Sequence, residues 1–422
     1  MTIISNEPER SVRQAIIGVI GVLNKADTAW PELFPFIGQA SQNEHSPVRE
    51  MSFLLMEELT DSVATQLEQS NDKSMASSLN SLLQHGLQDP DPKVNAATVK
   101  AAGGLLSYLA ETDLYEEFQP VFMLMLQVAD RLKHSNEDAV GIALDVLYDL
   151  ILSFCPSIIQ NLTDIFNWGL SLFNDEQMEH NIRDSAALVL ATLCEVHSRK
   201  ILAQPNLYQE LCKSIYSIIA KSEESAAGAL FQNNPMWSED FEDSFDMNES
   251  SVTSMAQGTL DMMCLHLSPK AMYPVIMELS TSYYQTNLPN NIKSSLACMG
   301  VAAEGCCEDY TYNLQTLIPI VVGGLSHADV QVREVACFAL GQFAEHCQPQ
   351  VLSYASSILP ALFPLLEDVQ YLTVQVTSCY VLEQFCERLN PKDIRPVLHQ
   401  VRYHYLILLS DIFRFFIFFI SP

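Results

Sequence analysis

"LSHADVQVREVACFALGQFAEHC", residues 325–347, reads as a short polar turn followed by one amphipathic helix. Its apolar residues recur at steps of three and four, which places them on one face of an α-helix. The later stretch "VQVTSCYVLEQFCERL" repeats the pattern, so that Cys337 and Phe343 have counterparts in Cys379 and Phe385, 42 residues further on. A helix repeated at such an interval is typical of a repeat protein.

The same helix pattern occurs nine times along the chain. Its copies begin near Val12, Val48, Val94, Ala139, Ile182, Val252, Ile292, Val332 and Val374. Seven of the eight intervals are 36–46 residues, as in two-helix HEAT or armadillo repeats, and one is 70. A second apolar segment precedes each copy after the first. We therefore predict an all-α fold, an α-solenoid of HEAT repeats in which antiparallel helix pairs stack into a right-handed superhelix. An ordinary helical bundle is the alternative, although a bundle needs no fixed interval.

The spacing divides the chain into five parts. Residues 1–27 form an incomplete N-terminal HEAT repeat, 28–221 are HEAT repeats, 222–251 are an acidic insertion loop within a repeat, 252–400 are HEAT repeats, and 401–422 are an atypical hydrophobic tail. Only about eleven residues precede the helix at Val12, too few for its partner helix. We expect upstream repeats to be absent from this chain.

The tail departs from the repeat after "PKDIRPVLHQ". Residues 403–420 are nearly all apolar, which suits a membrane anchor, but Asp411 and Arg414 near the middle would be costly in a bilayer. A gene-model artefact is the alternative, because Gln-Val-Arg is how an exon end running into a splice donor would be translated. We favour the artefact over the anchor, so no membrane partner is expected.

The composition restricts the partners. The formal net charge is −29, from 51 Asp and Glu against 22 Lys and Arg. Direct nucleic-acid binding needs basic patches, whereas an acidic surface attracts basic partners. The eleven Cys are odd in number and lack paired zinc-type spacing, which argues against a disulfide framework and indicates cytosol or nucleus.

The acidic insertion holds the candidate binding residues. Nine acids and no Lys or Arg occur between residues 222 and 269, and six of the acids lie between 238 and 249, among aromatic residues. Carboxylates and aromatic rings together favour a basic ligand. The cargo-binding candidates are Trp237, Glu239, Asp240, Phe241, Glu242, Asp243, Phe245, Asp246 and Glu249. A solvated loop is the alternative; a Ca²⁺ site lacks the EF-hand spacing.

Polar residues recur at the start of the repeated helix and are predicted to form an inter-repeat ladder. A basic or polar residue often follows the leading apolar one, and in three repeats an acid lies four positions before that residue. The ladder candidates are Arg49, Asp91, Asn95, Glu179, Arg183, Lys293, Asp329 and Arg333. Stacked repeats would align them into ion pairs and hydrogen bonds, a structural role.

No catalytic or cofactor motif is present. The sequence contains no phosphate-binding glycine loop, no GxSxG and no HExxH, and its His and Cys do not cluster with metal-ligand spacing. We therefore expect neither an enzyme nor a bound cofactor or metal.

The repeat sequences resemble one family. "PVREMSFLLMEEL", "LHLSPKAMYPVIM" and above all FALGQFAE at 338–345, followed by the Pro, Ser-Tyr and Leu-Pro run at 349–360, look like the importin-β (karyopherin-β) superfamily, in particular its importin-four subgroup. The acidic insertion lies where that subgroup has an acidic loop. The resemblance covers roughly residues 5–400.

The resemblance implies nuclear transport. Such receptors carry cargo through the nuclear pore between cytoplasm and nucleus, contact FG nucleoporins, and release cargo to Ran-GTP; relatives carry basic cargo proteins such as histones and ribosomal proteins. Because the family's main Ran-GTP site uses the most N-terminal repeats, we expect a weakened response to Ran. A HEAT scaffold such as a phosphatase regulatory subunit is the alternative, but such scaffolds lack a long acidic insertion.

Overall fold

The computed structural model describes residues 7–26, 33–70, 73–223, 251–368, 370–386 and 389. Within these ranges the chain forms twenty α-helices and one 3₁₀ helix, and it contains no β-strand. The apolar segments of the repeat all lie in helices, and consecutive long helices pack as pairs. The prediction of an all-α architecture of HEAT repeats is confirmed.

The first compact unit spans Met1–His197. Its described helices are α1 (Arg10–Ala26), α2 (Leu33–Ala40), α3 (Ser46–Glu58), α4 (Thr60–Ser70), α5 (Lys73–Leu87), α6 (Pro92–Leu109), α7 (Tyr115–Leu132), α8 (Glu137–Leu152), α9 (Pro156–Gln160), α10 (Leu162–Phe173) and α11 (His180–Val196). The second helices of successive pairs, α1, α3, α6, α8 and α11, form one layer, each packed on the next. The first helices α5 and α7 also pack on each other.

The second compact unit spans Ser198–Pro422. Its described helices are α12 (Ser198–Leu202), α13 (Pro205–Lys221), α14 (Val252–His266), α15 (Pro269–Gln285), α16 (Pro289–Val301), α17 (Cys307–Leu325), α18 (Val330–His346), the 3₁₀ helix Gln350–Tyr354, α19 (Ala355–Leu366) and α20 (Leu372–Cys386). The second helices α14, α16, α18 and α20 form a layer like that of the first unit.

The repeated helix begins where the sequence places a cap. Asp91 precedes α6 and its carboxylate accepts a hydrogen bond from the backbone N–H of Lys93, while Pro92 occupies the first turn. Asp329 caps α18 in the same way, accepting from the N–H groups of Gln331 and Val332. These bonds satisfy N–H groups that a helix start leaves without partners.

The leading apolar residues of the repeat form the core between helix pairs. Val94, Val332 and Val374 are completely buried. Val12 is different: 42% of it is exposed, and α1 packs on α3 through residues such as Ile17 and Ile20 instead. The helix predicted at α1 is therefore confirmed, whereas its first apolar residue is not part of the core.

Glycines in the second helices allow the next second helix to approach closely. A Cβ at Gly341 of α18 would lie 2.3 Å from Cε1 of Tyr380 in α20. At the corresponding place in α16, a Cβ at Gly300 would lie 2.5 Å from Cε1 of Phe338 in α18. The FALGQF segment thus supplies both an aromatic side chain to the preceding helix and a glycine to the following one.

The core of the acidic insertion, residues 224–250, and the tail at 401–422 lie outside the described residues. Every cargo-binding candidate of the insertion therefore lies outside them as well. Among the helices that are described, each is too short or too polar to cross a bilayer.

Candidate functional site

One group of polar contacts links neighbouring repeats at the start of the second helices. In α3, Nη1 of Arg49 donates to the backbone carbonyls of Asn43 (2.9 Å) and Glu44 (3.0 Å), in the turn of its own repeat. Its Nε and Nη2 donate to the carboxylate of Asp89 in the next repeat, at 2.7 and 2.9 Å. Arg49 therefore fixes the turn before α3 and joins it to the following helix pair.

The same arrangement recurs at Arg333 in the second unit. Its Nη1 donates to the carbonyls of His327 and Ala328, both at 3.0 Å, and its Nη2 lies 3.3 Å from Oδ2 of Asp368. The guanidinium also lies over the ring of Tyr371, 5.6 Å from its centroid.

Arg13 makes a third copy that the sequence analysis missed. Its Nη1 donates to the carbonyls of Glu7 (2.8 Å) and Pro8 (2.9 Å), and its Nη2 lies 4.0 Å from Oε2 of Glu50. It follows Val12 as Arg49 follows Val48, so the repeat alignment contained the information needed to find it.

Two other residues of the predicted ladder, Asn95 and Arg183, contact backbone carbonyls near the end of the preceding first helix. The side-chain amide of Asn95 donates to three carbonyls at the end of α5, those of Gly86, Leu87 and Asp89, and its oxygen accepts from Arg131. Arg183, a predicted ladder residue two repeats further on, donates through Nε to the carbonyl of Phe173 at 3.1 Å. Burial lowers the pKa of Arg183.

Lys293 ties the beginning of the insertion to two later helices. Its Nζ donates to the carbonyl of Ser222 at 2.5 Å and to Oε1 of Gln331 at 3.1 Å. Nε2 of Gln331 in turn donates to the carbonyl of Glu223 at 2.8 Å. Because Lys293 belongs to α16 and Gln331 to α18, the backbone after α13 is attached to both.

The predicted acids do not supply the carboxylates that face Arg49 and Arg333. Asp91 and Asp329 cap their own helices, and the backbone N–H of Glu179 donates to Oε2 of Glu137 at 3.0 Å. The carboxylates that face Arg49 and Arg333 are those of Asp89 and Asp368. Each lies in the turn just after the first helix of the following repeat.

The contact between Arg49 and Asp89 shifts the pKa of each side chain in the direction that favours its charged form. Burial alone would raise the pKa of Asp89, but hydrogen bonds from Arg49 and from the backbone of Asp91, with the charge of Arg49, lower it below its ordinary value. The hydrogen bond to Asp89 is the main reason that the pKa of Arg49 is raised. The two shifts agree, so the pair is ionised at neutral pH.

A second group of carboxylates follows the second helices of the second unit. We name Asp261, Glu304, Glu345 and Glu383 the acidic row; they lie in α14, just after α16, in α18 and in α20. Three of them are exposed and Asp261 is half-buried. Burial and the charge of Glu304 raise the pKa of Asp261, and the hydroxyl of Tyr380 donates to Oε2 of Glu345 at 2.9 Å.

The residues of the acidic row are not among those predicted from the sequence, although their spacing is periodic. Glu304 and Glu345 both follow an alanine, 41 residues apart, at the ends of their repeats. Chemically, the row can attract cations, and it cannot coordinate phosphate.

Comparisons with known proteins show which family the chain resembles. A family model described as IPO5-like, TPR repeats matches residues 8–168, and a HEAT-repeat model matches residues 317–347. The chain is 24% identical over 395 residues to the probable importin subunit beta-4 of Schizosaccharomyces pombe, covering 92% of this chain and 34% of that protein. It is 26% identical over 374 residues to Importin-4 of Homo sapiens, covering 87% and 34%. The chain thus spans about a third of the length of these relatives.

Solved structures of Kap121p share the fold. Kap121p bound to Nup53p has a TM-score of 0.81 at 18% identity, covering 96% of this chain and 38% of that one. Kap121p bound to RanGTP has a TM-score of 0.76 at 18% identity, covering 90% and 36%. In its sequence matches and its fold, the chain resembles the importin-β superfamily, and in particular the importin-4 members of that superfamily.

Proposed function

We propose that the chain acts as part of a nuclear transport receptor that binds basic cargo proteins such as histones or ribosomal proteins. The acidic row carries this proposal, because it sets exposed carboxylates on successive second helices of an importin-type fold. Carboxylates repeated along a stack of repeats suit an extended basic segment, whose Lys and Arg side chains they can bind through charge-assisted hydrogen bonds.

The partners and the location are proposed on the likeness to importins. Kap121p has been solved bound to Nup53p and to RanGTP, and we propose FG nucleoporins and Ran-GTP as partners of this chain. We propose that it moves between cytoplasm and nucleus through the nuclear pore. The named relatives are importins, so we propose a binding function rather than an enzymatic one.

The insertion remains a second proposed cargo contact. Trp237, Phe241 and Phe245 would add apolar and cation–π contacts to its carboxylates. The backbone just before it, at Ser222 and Glu223, is held by Lys293 and Gln331 in the same unit as the acidic row.

Core histones provide the direct test. We expect the purified 422-residue chain to capture core histones at physiological salt, and to bind immobilised FG-repeat peptides. Ran loaded with a non-hydrolysable GTP analogue should release the histones only in part, in keeping with the expected weakened response to Ran. A chain that captures neither histones nor FG peptides would overturn the proposal, and capture of a phosphatase catalytic subunit instead would favour a scaffold.

A further inference from the structure

A groove in the first compact unit is lined by three successive repeats. It has a volume of about 720 Å³ and lies among α3 and α4, α6, and α8. This volume is in the upper part of the range of small-molecule pockets, roughly 300–1,000 Å³, and leaves room for several side chains of a peptide. The groove is separate from the inter-repeat ladder and from the acidic row.

Two adjacent glycines of α6 shape the floor of the groove. A Cβ at Gly103 would lie 2.3 Å from Cγ1 of Val146 in α8, and a Cβ at Gly104 would lie 3.1 Å from Oγ1 of Thr60 in α4. The missing side chains therefore let both neighbours approach α6.

The lining combines apolar surface with carboxylates. The side chains of Tyr108 and Leu152 are 40% and 46% exposed. The carboxylates come from α3, α4 and α8, and they are those of Glu57, Asp61, Asp145 and Asp149. Lys100 is the single cationic residue among the described lining residues. Aliphatic and aromatic surface beside carboxylates suits a side chain with an apolar stem and a cationic end, which is the description of Lys and Arg.

These carboxylates differ from the acids of the inter-repeat ladder. Asp89 and Asp368 are paired with arginines, whereas none of the four groove carboxylates has a hydrogen-bond or ion-pair partner in the described part of the chain. Burial, followed by the charge of Asp145, raises the pKa of Asp149. Burial and Glu58 raise that of Glu57, against the opposing effect of Lys100. Burial and the charge of Asp145 therefore disfavour the ionised form of Asp149 in the groove.

We propose that this groove is a docking site for an extended Lys/Arg-rich peptide segment of a partner protein. The basic ends of the peptide pair with Asp145, Asp149, Glu57 and Asp61, and its apolar stems lie on Tyr108 and Leu152. The positive charge of Lys100 also lies in the groove, and it weakens the binding of a basic peptide by repulsion. This proposal adds a binding site to the proposed function. It rests on that function for the class of partner, a basic protein.

A charge-neutralising pair tests the site. The probe is a fluorescein-labelled ten-residue peptide of alternating Lys and Arg, titrated with the full chain and followed by fluorescence anisotropy. We expect D145N/D149N to weaken binding at least fivefold. The matched control is E116Q/E117Q, which removes the same charge from exposed positions on the first helix α7 and should change affinity less than twofold. Equal losses in both variants would show attraction by overall charge alone and overturn the proposal.

Lys100 offers a test in the opposite direction. K100Q removes the cation of the groove and should tighten peptide binding two- to threefold, whereas K93Q, at the beginning of the same helix, should have less than half that effect. Weaker binding by K100Q would contradict the proposal. Thermal unfolding midpoints unchanged across the variants exclude a folding defect.

The outcome is distinguishable from that of the proposed function. A chain that captures histones and FG peptides equally well with and without D145N/D149N keeps the transport function and loses the groove. A chain that binds the peptide through the groove but captures neither histones nor FG peptides keeps the groove and loses the transport function. Binding of a folded basic domain but not of the peptide would also overturn the groove proposal.

Discussion

Arg49 and Asp89 form a two-pronged ion pair between neighbouring repeats, with Nε–Oδ2 and Nη2–Oδ1 distances of 2.7 and 2.9 Å. Both side chains are largely buried, at 14% and 3% exposure. Since Arg49 also holds two carbonyls of its own turn, the pair couples the geometry of one turn to the position of the next helix pair.

Removing either partner should destabilise the first unit. We expect D89A and R49A each to lower the free energy of unfolding by about 2–3 kcal/mol, because each leaves a poorly solvated charge behind. Denaturant unfolding with a double-mutant cycle should give a coupling of about 1–2 kcal/mol. The exposed pair Lys213–Glu210 is the comparison, and K213A should leave the transition unchanged. Additive effects of D89A and R49A would contradict the ion pair.

The same pair predicts a dependence on pH. The folded-state pKa of Asp89 lies below its ordinary value of 3.8, so the folded protein holds this proton less tightly than the unfolded chain. Its contribution to stability is complete well above pH 3.8 and is lost as the pH falls through the lower, folded-state pKa. The difference in unfolding free energy between wild type and D89N should be constant from pH 7 to about pH 5 and shrink below pH 3.8. A difference that grows on acidification would show the opposite sign of shift.

Gly341 should tolerate no side chain. G341A brings a methyl group to 2.3 Å from the ring of Tyr380, and we expect a loss of about 1–3 kcal/mol from overpacking. G258A is the matched control, because nothing lies within 4 Å of a Cβ there, and it should stabilise α14 by about 0.5–1 kcal/mol. Thermal melts of both variants give the comparison. Adding Y380A to G341A should lessen the cost of the methyl group; if it does not, the clash is not the cause.

The acidic row should control cargo binding. E304Q/E345Q keeps the size of both side chains and leaves an acceptor for Tyr380, but removes two charges. We expect it to weaken core-histone binding about five- to tenfold in a quantitative pull-down, because each lost charge-assisted hydrogen bond is replaced by a weaker neutral one. E278Q/E308Q, which changes exposed acids on first helices, should weaken binding less than twofold. Similar losses in the two variants would remove the acidic row from the cargo surface.

Periodicity predicted the fold well because burial repeats with the helix. Val94, Val332 and Val374 occupy the same place in three repeats, and all are fully buried. The family resemblance also rested on residues that hold the repeats together, since Phe338 and Gly341 of FALGQFAE make the close contacts between second helices.

The residues that pair with the predicted ladder residues were harder to predict from the sequence. Asp89 and Asp91 are two residues apart, and the sequence alone does not tell which one caps α6 and which one faces Arg49. That choice depends on the path of the turn. The groove was not anticipated for a similar reason, because its carboxylates lie on α3, α4 and α8, on either side of α6, and the packing at Gly103 and Gly104 brings these helices together.

The attachment of Ser222 and Glu223 to α16 and α18 has a mechanical consequence. Lys293 and Gln331 fix the backbone at the point where residues 224–250 begin, so this segment starts from a defined anchor rather than from a free end of α13. Under the cargo role proposed for this segment, a ligand bound to it would be held near these two later repeats, which would raise its effective concentration there. A force that pulls on this segment would act on α16 and α18 together, and it would therefore strain two repeats.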